Sequence, residues 1–518
     1  MITTNDLERA VEAGLAYLKQ QDDVEEAEVY ASSNGILLAR LNYTSHIPCN
    51  GVEEPKSVVN YGIGVQAIFG GVGDARRIGF GSETSDISLD GVRSALAKAR
   101  QGASDDPEFV SLARPTGEKR TLTDYADQQI MDIKDEALSE TGWRVLAGGL
   151  RVFETSETLT TLVERPERMP ELGLIIGGDV TIIQERMAIC SAAMPQVQAD
   201  ESTLVMSFIT SMVEREGAKG SGYAATTTLA GLTDEAGREA AHNAIAGVGG
   251  VRLPTGDYNV VFGREAVMEI LHYILMPGLD AGTFYAQASP FMGKLGQKVA
   301  SDKLTIVDDG AARGLVGSKG ITDEGLPTGR TELIKDGVLV GLLSNWYESQ
   351  RVMRDPGAKE KLGVDPNGWK QAFVPRNGFR YARGGGRHFD AQPGIHPTNV
   401  MLPGDVPDTS AVCKLVGNGV YIGRLWYTYP VNGMRAGDFT GTVVADSYVI
   451  RNGQLAEPVK PNTLRITENL MNVMNNIIGV TREGKPVIVW AADEIVHAPE
   501  IAVQKVHLDA IAEYMEGL

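Results

Sequence analysis

The sequence predicts an α+β protein in two parts: an N-terminal α/β-mixed domain of antiparallel sheet and helices, and a strand-rich C-terminal domain of bent antiparallel sheets, barrel-like or sandwich-like. Three observations carry this. The chain has 518 residues, more than one hydrophobic core usually supports. Amphipathic helical stretches alternate with strand-like runs in the first half, and short strands punctuated by turns dominate the second. A glycine-containing break at 247–254 separates the halves and places the domains at 1–246 and 247–518.

The elements follow from local pattern. Leu7, Val11, Leu15 and Leu18 recur at helical spacing behind Asn5, a candidate cap. Runs at 28–31 and 36–41 read as strands, with Ser33-Asn34-Gly35 as the hairpin turn between them. Strands are predicted at 61–69 and 77–80, and the intervening Gly70-Gly71-Val72-Gly73 reads as a hairpin, because a phosphate loop must open directly onto a helix. Ser88 caps a helix that carries Val92, Leu96 and Ala99 on one face. Farther on, 124–138 and 234–246 read as helices and 172–176 and 180–183 as strands. In the second half, 332–334 and 338–342 flank the turn Lys335-Asp336-Gly337, and 447–450 precedes Arg451-Asn452-Gly453.

Composition excludes several classes. A formal charge of −19 opposes binding to a phosphate backbone, so no direct nucleic-acid partner is expected. No apolar run is long enough for a membrane span, and the first residues carry no secretory pattern, so a cytoplasmic location with no membrane partner is expected. Cys49, Cys190 and Cys413 form no Cys-x-x-Cys pair, which leaves a disulfide framework and a structural zinc site without support. No Gly-x-Ser-x-Gly elbow is present.

A series of short segments has a specific order and spacing: Arg264-Glu265-Ala266-Val267-Met268-Glu269, Gly293-Lys294-Leu295-Gly296, Leu304-Thr305-Ile306-Val307-Asp308-Asp309-Gly310, Asp323-Glu324-Gly325-Leu326-Pro327, Pro397-Thr398-Asn399 and Gly437-Asp438-Phe439. Tyr61-Gly62-Ile63-Gly64-Val65 and Ile78-Gly79-Phe80-Gly81-Ser82 add a looser likeness. Together they resemble the TldD/PmbA family of metalloprotease-related proteins, in which PmbA is also called TldE. In its catalytic members the resemblance implies a His-Glu-x-x-x-His helix completed by a late Cys. Two imidazoles and a thiolate then hold zinc, and the Glu serves as base.

Alignment on Glu265 puts Arg264 and Glu269 where the histidines would stand, and no cysteine follows Cys413. Arg is always protonated and cannot ligate a metal. The pattern resembles the metal-free TldE side of the family. It implies no cofactor in this chain, zinc in a partner subunit, a homodimer or a heterodimer with a metal-bearing TldD-type homologue, and an unfolded peptide substrate. An alternative is an active homodimeric metallopeptidase with a rearranged site at Glu265, Glu269 and His272, which share one helical face at i, i+4 and i+7. A non-enzymatic adaptor or modulator is the third reading, as the family's older association with DNA gyrase suggests.

The helix itself has a plain structural reading: Val267, Leu271 and Ile274 form a buried stripe and leave the charged face to water or a partner. The pair His46 and Cys49 has ligand spacing but no further donors nearby. Residues 353–396 form a long connection with the basic patch Arg380, Arg383 and Arg387, read as a solvated flexible loop or a clamp for acidic substrate groups. Tyr421, Trp426 and Tyr427 read as core aromatics on a strand.

Overall fold

The computed structural model describes residues 2–42, 51–70, 76–122, 125–382, 385–488 and 495–512. Its N-terminal half is built on one seven-stranded antiparallel sheet. The strands are β1 (Val24–Leu41), β2 (Lys56–Gly70), β3 (Arg76–Thr84), β4 (Ser104–Asp105), β5 (Leu174–Ser191), β6 (Gln198–Val213) and β7 (Ala218–Thr226), in the spatial order β4-β3-β2-β1-β5-β6-β7. The helices are α1 (Thr4–Leu18), α2 (Leu89–Gly102), α3 (Gln128–Met131), α4 (Asp135–Glu154), α5 (Glu157–Val163) and α6 (Glu235–Ala246).

Period-two alternation decides what each face of this sheet meets. On β1, Ala27, Val29 and Ala31 pack with Leu7, Val11, Val92 and Leu96 of α1 and α2, while Leu37, Ala39 and Leu41 pack with Leu138, Val145 and Ala240 of α4 and α6. The intervening Glu28, Tyr30, Ser32 and Asn34 are also buried, because they face the C-terminal half. The sheet is therefore the middle layer of three, with helices on one side and the second half of the chain on the other.

In that second half, β8 (Gly256–Phe262) lies inside a curled nine-stranded sheet. Strands Arg424–Pro430, Asp438–Ala445, Leu464–Asn469 and Ile501–Ala510 lead up to it, and Gly419–Ile422, Tyr448–Arg451 and Gln454–Pro458 follow. Most pairings are antiparallel, as the turn chemistry predicts; β8 with Gly419–Ile422 is parallel. A six-stranded sheet containing Ile306–Asp309, Arg330–Lys335 and Asn399–Met401 completes the body. The hairpins at Lys335-Asp336-Gly337 and Arg451-Asn452-Gly453 form as expected, with Asp336 and Asn452 at positive φ followed by glycine.

Several local expectations are corrected. Ser33-Asn34-Gly35 is no turn: β1 runs through it, pairing Asn34 with Asn60 and Gly35 with both Val59 and Gln184. Turn-type residues stand there because Asn34 Nδ2 donates to the Gly385 carbonyl at 3.1 Å and to that of Arg387, and because Gly35 leaves room for the Gln184 side chain. The first helix is capped by Thr3 in a capping box with Asp6, two residues before Asn5. The helix predicted at 124–138 is two, since Asp127 caps α3 and the chain restarts at Asp135. β3 is the return strand of a hairpin, with Gly70 opposite Arg76, although 71–75 lie outside the described residues. His46 and Cys49 also lie outside them.

The largest correction concerns 353–396. Helices Trp346–Arg354 and Ala358–Leu362 open this stretch, and its basic patch is interior. Arg387 is 0% exposed and Arg380 1%; Arg383 lies outside the described residues. Arg387 Nε meets Asp323 at 2.7 Å, its Nη1 meets Asp200 at 2.8 Å, and its Nη2 donates to the Ile321 carbonyl at 2.9 Å. Arg380 pairs with Glu28, lies 4.7 Å over the Tyr30 ring, and donates its backbone N–H to Asp323. Lys319 pairs with Glu185 and donates to Ser202 at 2.8 Å. Glu28, Glu185 and Asp200 belong to the N-terminal sheet, whereas Arg380, Arg387 and Lys319 come from the other half. These arginines are neither solvated nor available to a substrate; they join the two halves.

Removing one partner of such a network leaves an uncompensated buried charge. Arg387→Ala is expected to lose about 3–5 kcal/mol of stability by urea unfolding, whereas Arg435→Ala, at an exposed position, is expected to stay within about 0.5 kcal/mol.

Candidate functional site

Where β8 ends, Gly263 turns the chain into α7 (Arg264–Ile270), which continues through a π-helical turn, Leu271–Leu275. The glycine is required by space: a Cβ there would lie 2.7 Å from the Tyr421 hydroxyl and 3.0 Å from Gly423 Cα. Ala266, Val267, Met268, Ile270, Leu271 and Ile274 join the main C-terminal core. Their burial agrees with the predicted apolar stripe.

The charged face does not reach solvent. Glu265 is 3% exposed and Glu269 7%, because the strand Arg424–Pro430 packs against it. Arg424 Nε lies 3.3 Å from Glu265 Oε1, within range for charge attraction but off the line of a hydrogen bond. Burial pushes the Glu265 carboxyl up to about 8 against the pull of Arg424. Burial likewise raises Glu269 to about 7, opposed by Thr428, His272 and Arg424. His272 sits in the π-helical turn, half-buried and edge-on to Tyr273 with ring centroids 4.6 Å apart.

A cavity of about 420 Å³ opens beside the start of this helix. Glu265 and Arg264 line it, together with Glu239 of α6, Ser221 and Tyr223 of β7, Tyr421, Asp446 and Glu500. Asp446 is at φ 52° on the turn between two strands and accepts from the Ser221 N–H at 3.2 Å and from its hydroxyl. Burial raises its carboxyl to about 6, with Ser221 and Arg424 opposing. Tyr421 donates to Glu500 Oε1 at 2.8 Å, and Lys485 answers Glu239 at 2.8 Å. Tyr421 packs against the core beside Val261 and Val412, as expected, and also lines the cavity, whereas Tyr427 is 72% exposed at positive φ, against expectation.

The donor set does not suit zinc. Arg264 brings a fixed positive charge to the lining, and Glu265 is held by Arg424. In the glycine-containing segment 479–484, where the resemblance implies the late cysteine, Thr481 accepts through its hydroxyl from the Glu500 N–H at 2.8 Å. Cys413 and Cys190 are buried thiols elsewhere, both pushed up by burial, Cys413 to about 11. His272 is near enough to Glu269 to oppose the rise of its carboxyl, but among the described residues no three His, Cys, Asp or Glu side chains are grouped to hold a metal ion. Pattern reading missed Asp446, Glu500, Glu239, Tyr223 and Arg424, which five separate parts of the chain bring in; the one local signal was Asp446 between Ala445 and Ser447 at a tight strand-to-strand turn.

The curled antiparallel sheet, the helix buried against it and the layered N-terminal sheet define an α+β fold. Residues 255–509 match the model of the PmbA/TldA metallopeptidase C-terminal domain, and the chain belongs to the TldD/PmbA family. It is 29% identical over 254 residues to a metalloprotease of Methanothermobacter thermautotrophicus, covering 48% of each chain. With the metalloprotease TldD homolog of Haemophilus influenzae it shares 29% over 236 residues, 44% of this chain and 42% of that one. The match spans about half the length of these relatives. The fold resembles the crystal structure of TldE from Thermococcus kodakarensis, with a TM-score of 0.72 at 16% identity over 96% of this chain and all of that one.

The raised carboxyls fix the sign of one pH dependence. The folded state keeps the Glu265 proton up to about 8, while the unfolded chain loses it near 4.5, so this group's contribution falls as pH rises between those values. Glu265→Gln is therefore expected to stabilise the chain at pH ~8.5 relative to pH ~5.5, by an amount on the order of a few kcal/mol, in thermal melts at both pH values.

Proposed function

We propose that this chain is a metal-free subunit of the TldE type, which assists a metal-bearing TldD-type partner in cleaving unfolded peptides. The observation that carries the reading is the pairing of Glu265 with Arg424 beside Arg264, on the helix where the resemblance implies zinc ligands. A base poised beside a metal needs an open coordination position and a water. Here the Glu265 carboxyl is buried beside the Arg424 guanidinium, so the helix keeps the shape of a peptidase element without the donors. The metalloprotease names of relatives that match about half of this chain support a role in proteolysis.

In this reading the chain contributes shape and peptide contacts while the partner contributes the metal. Metal analysis of the untagged chain, purified alone and without chelator, is expected to find less than about a tenth of a metal ion per chain. Peptidase activity on an unfolded substrate is expected only after mixing with a TldD-type homologue. Near-stoichiometric zinc that disappears in Glu269→Ala would overturn the assignment in favour of a rearranged metallopeptidase.

A further inference from the structure

The seam between the two halves holds one buried acid that no cation answers. Within the network that joins them, Glu28 meets Arg380, Glu185 meets Lys319, and Asp200 and Asp323 share Arg387. Beside it, Glu324 is 5% exposed, and among the described residues no cation stands within ion-pair distance of it. Arg380 acts on it from a distance only, because its guanidinium donates to Glu28 and to the Asp323 and Ala391 carbonyls. The donor to the Glu324 carboxyl is the Trp346 N–H, 3.1 and 3.0 Å from its two oxygens. Gly378 gives the carboxyl its seat, since a Cβ there would collide with Glu324 Oε2.

Glu324 lines a cavity of about 440 Å³ together with Glu28 of β1, Glu348 of the helix Trp346–Arg354, and Asp106 of the chain after β4. Those other acids have partners: Glu28 has Arg380, Glu348 has Arg351 at 3.3 Å, and Asp106 accepts from the Tyr347 hydroxyl at 3.1 Å. Asp323, next in the chain, adds a further carboxyl beside Glu324. A buried carboxyl without a counter-charge keeps its proton, because ionising it leaves a bare charge in the interior. Burial, with Glu28 and Asp323 adding to it, pushes Glu324 up to about 8 against the Trp346 N–H and Arg380.

The helix that Glu324 holds also grips the N-terminal half. Trp346 Nε1 donates to the Ser111 carbonyl at 3.0 Å, the Tyr347 hydroxyl donates to Asp106, and Arg351 Nη2 lies 2.8 Å from Glu108. Glu324 therefore sits under this grip and at the wall of the cavity that both halves line. We propose that Glu324 is a proton-operated latch on the seam: protonated, it keeps the helix Trp346–Arg354 closed on residues 106–111; ionised, it draws water into the cavity and releases that grip. The sign follows from linkage. The closed state holds the proton up to about 8 and an opened, hydrated carboxyl loses it near 4.5, so closure is fully favoured below 4.5 and weakens by about tenfold per pH unit between those values.

Amide hydrogen exchange followed by mass spectrometry, on the full untagged chain and on Glu324→Gln at pH ~6 and pH ~9, tests this. Comparing the two chains at one pH cancels the intrinsic exchange rates and every titration they share. At the lower pH, peptides covering 104–113 and 346–354 are expected to exchange alike in both chains. At the higher pH the unsubstituted chain is expected to exchange ~10-fold or more faster in those peptides, with α4 and α6 equal in the two chains. The same ratio at both pH values, or a change spread equally over α4 and α6, overturns the latch. Should Glu324→Gln fail to fold, the unsubstituted chain decides alone. Corrected for intrinsic rates, its exchange at 106–111 has to rise ~10-fold or more between the two pH values while that of α6 does not, and a flat profile overturns the inference.

Discussion

Arg387, held without solvent contact between Asp200 and Asp323, is the constraint on which the arrangement of the two halves depends. Asp200 lies on the N-terminal sheet and Asp323 in the other half, so one guanidinium has to satisfy carboxylates that only the assembled molecule brings together. Burial would raise the Asp200 carboxyl, but Arg387 and Lys119 outweigh it and hold it below the usual range. Glu185 shows the same balance, with Lys319 and Arg387 overcoming its burial. A planar fork with several donors suits this position as a lysine would not: besides the two carboxylates, it reaches the Ile321 carbonyl.

This clasp dictates features that look unrelated. The inward face of β1 carries Glu28, Tyr30, Ser32 and Asn34 where a sheet buried on both sides usually carries apolar residues. Glu28 answers Arg380, the Tyr30 hydroxyl donates to Asp323 at 2.9 Å, and Asn34 fixes the backbone at Gly385 and Arg387. A network of this kind specifies one docking of the two halves, because a shift by one residue would strand several charges. Apolar packing at the same interface, with Met187, Ile189, Ile321 and Phe389 beside Tyr30, is compatible with more than one register and would not by itself select it.

Much of the fold was legible because period and punctuation survive in a local window. The α2 and α6 helices, the β2–β3 hairpin and the turns at 335–337 and 451–453 all follow from patterns within a dozen residues. What failed was long range. Ser33-Asn34-Gly35 has hairpin composition, yet its polarity answers a loop some 350 positions away. Arg380 and Arg387 sit among glycines in a stretch that looks solvated, and only their partners Glu28, Asp200 and Asp323 reveal that they are interior. The same limit applies at the candidate site. The absence of histidine and late cysteine was visible in the sequence, but the cavity's acidic lining comes from α6, the turn at Asp446 and the segment before Ile501–Ala510.

The two charged regions share a composition and differ in balance, and that difference separates scaffold from site. At the clasp, each buried carboxyl meets a cation or several N–H donors, and the groups are closed off from solvent. At α7 the compensation stops short: Arg424 approaches Glu265 Oε1 without hydrogen-bonding it, and Oε2 is buried without a partner among the described residues. Leaving a carboxyl oxygen unsatisfied in the interior costs stability. The clasp is thus closed by its own cations, whereas the wall beside α7 carries a carboxyl that its nearest guanidinium approaches without a hydrogen bond.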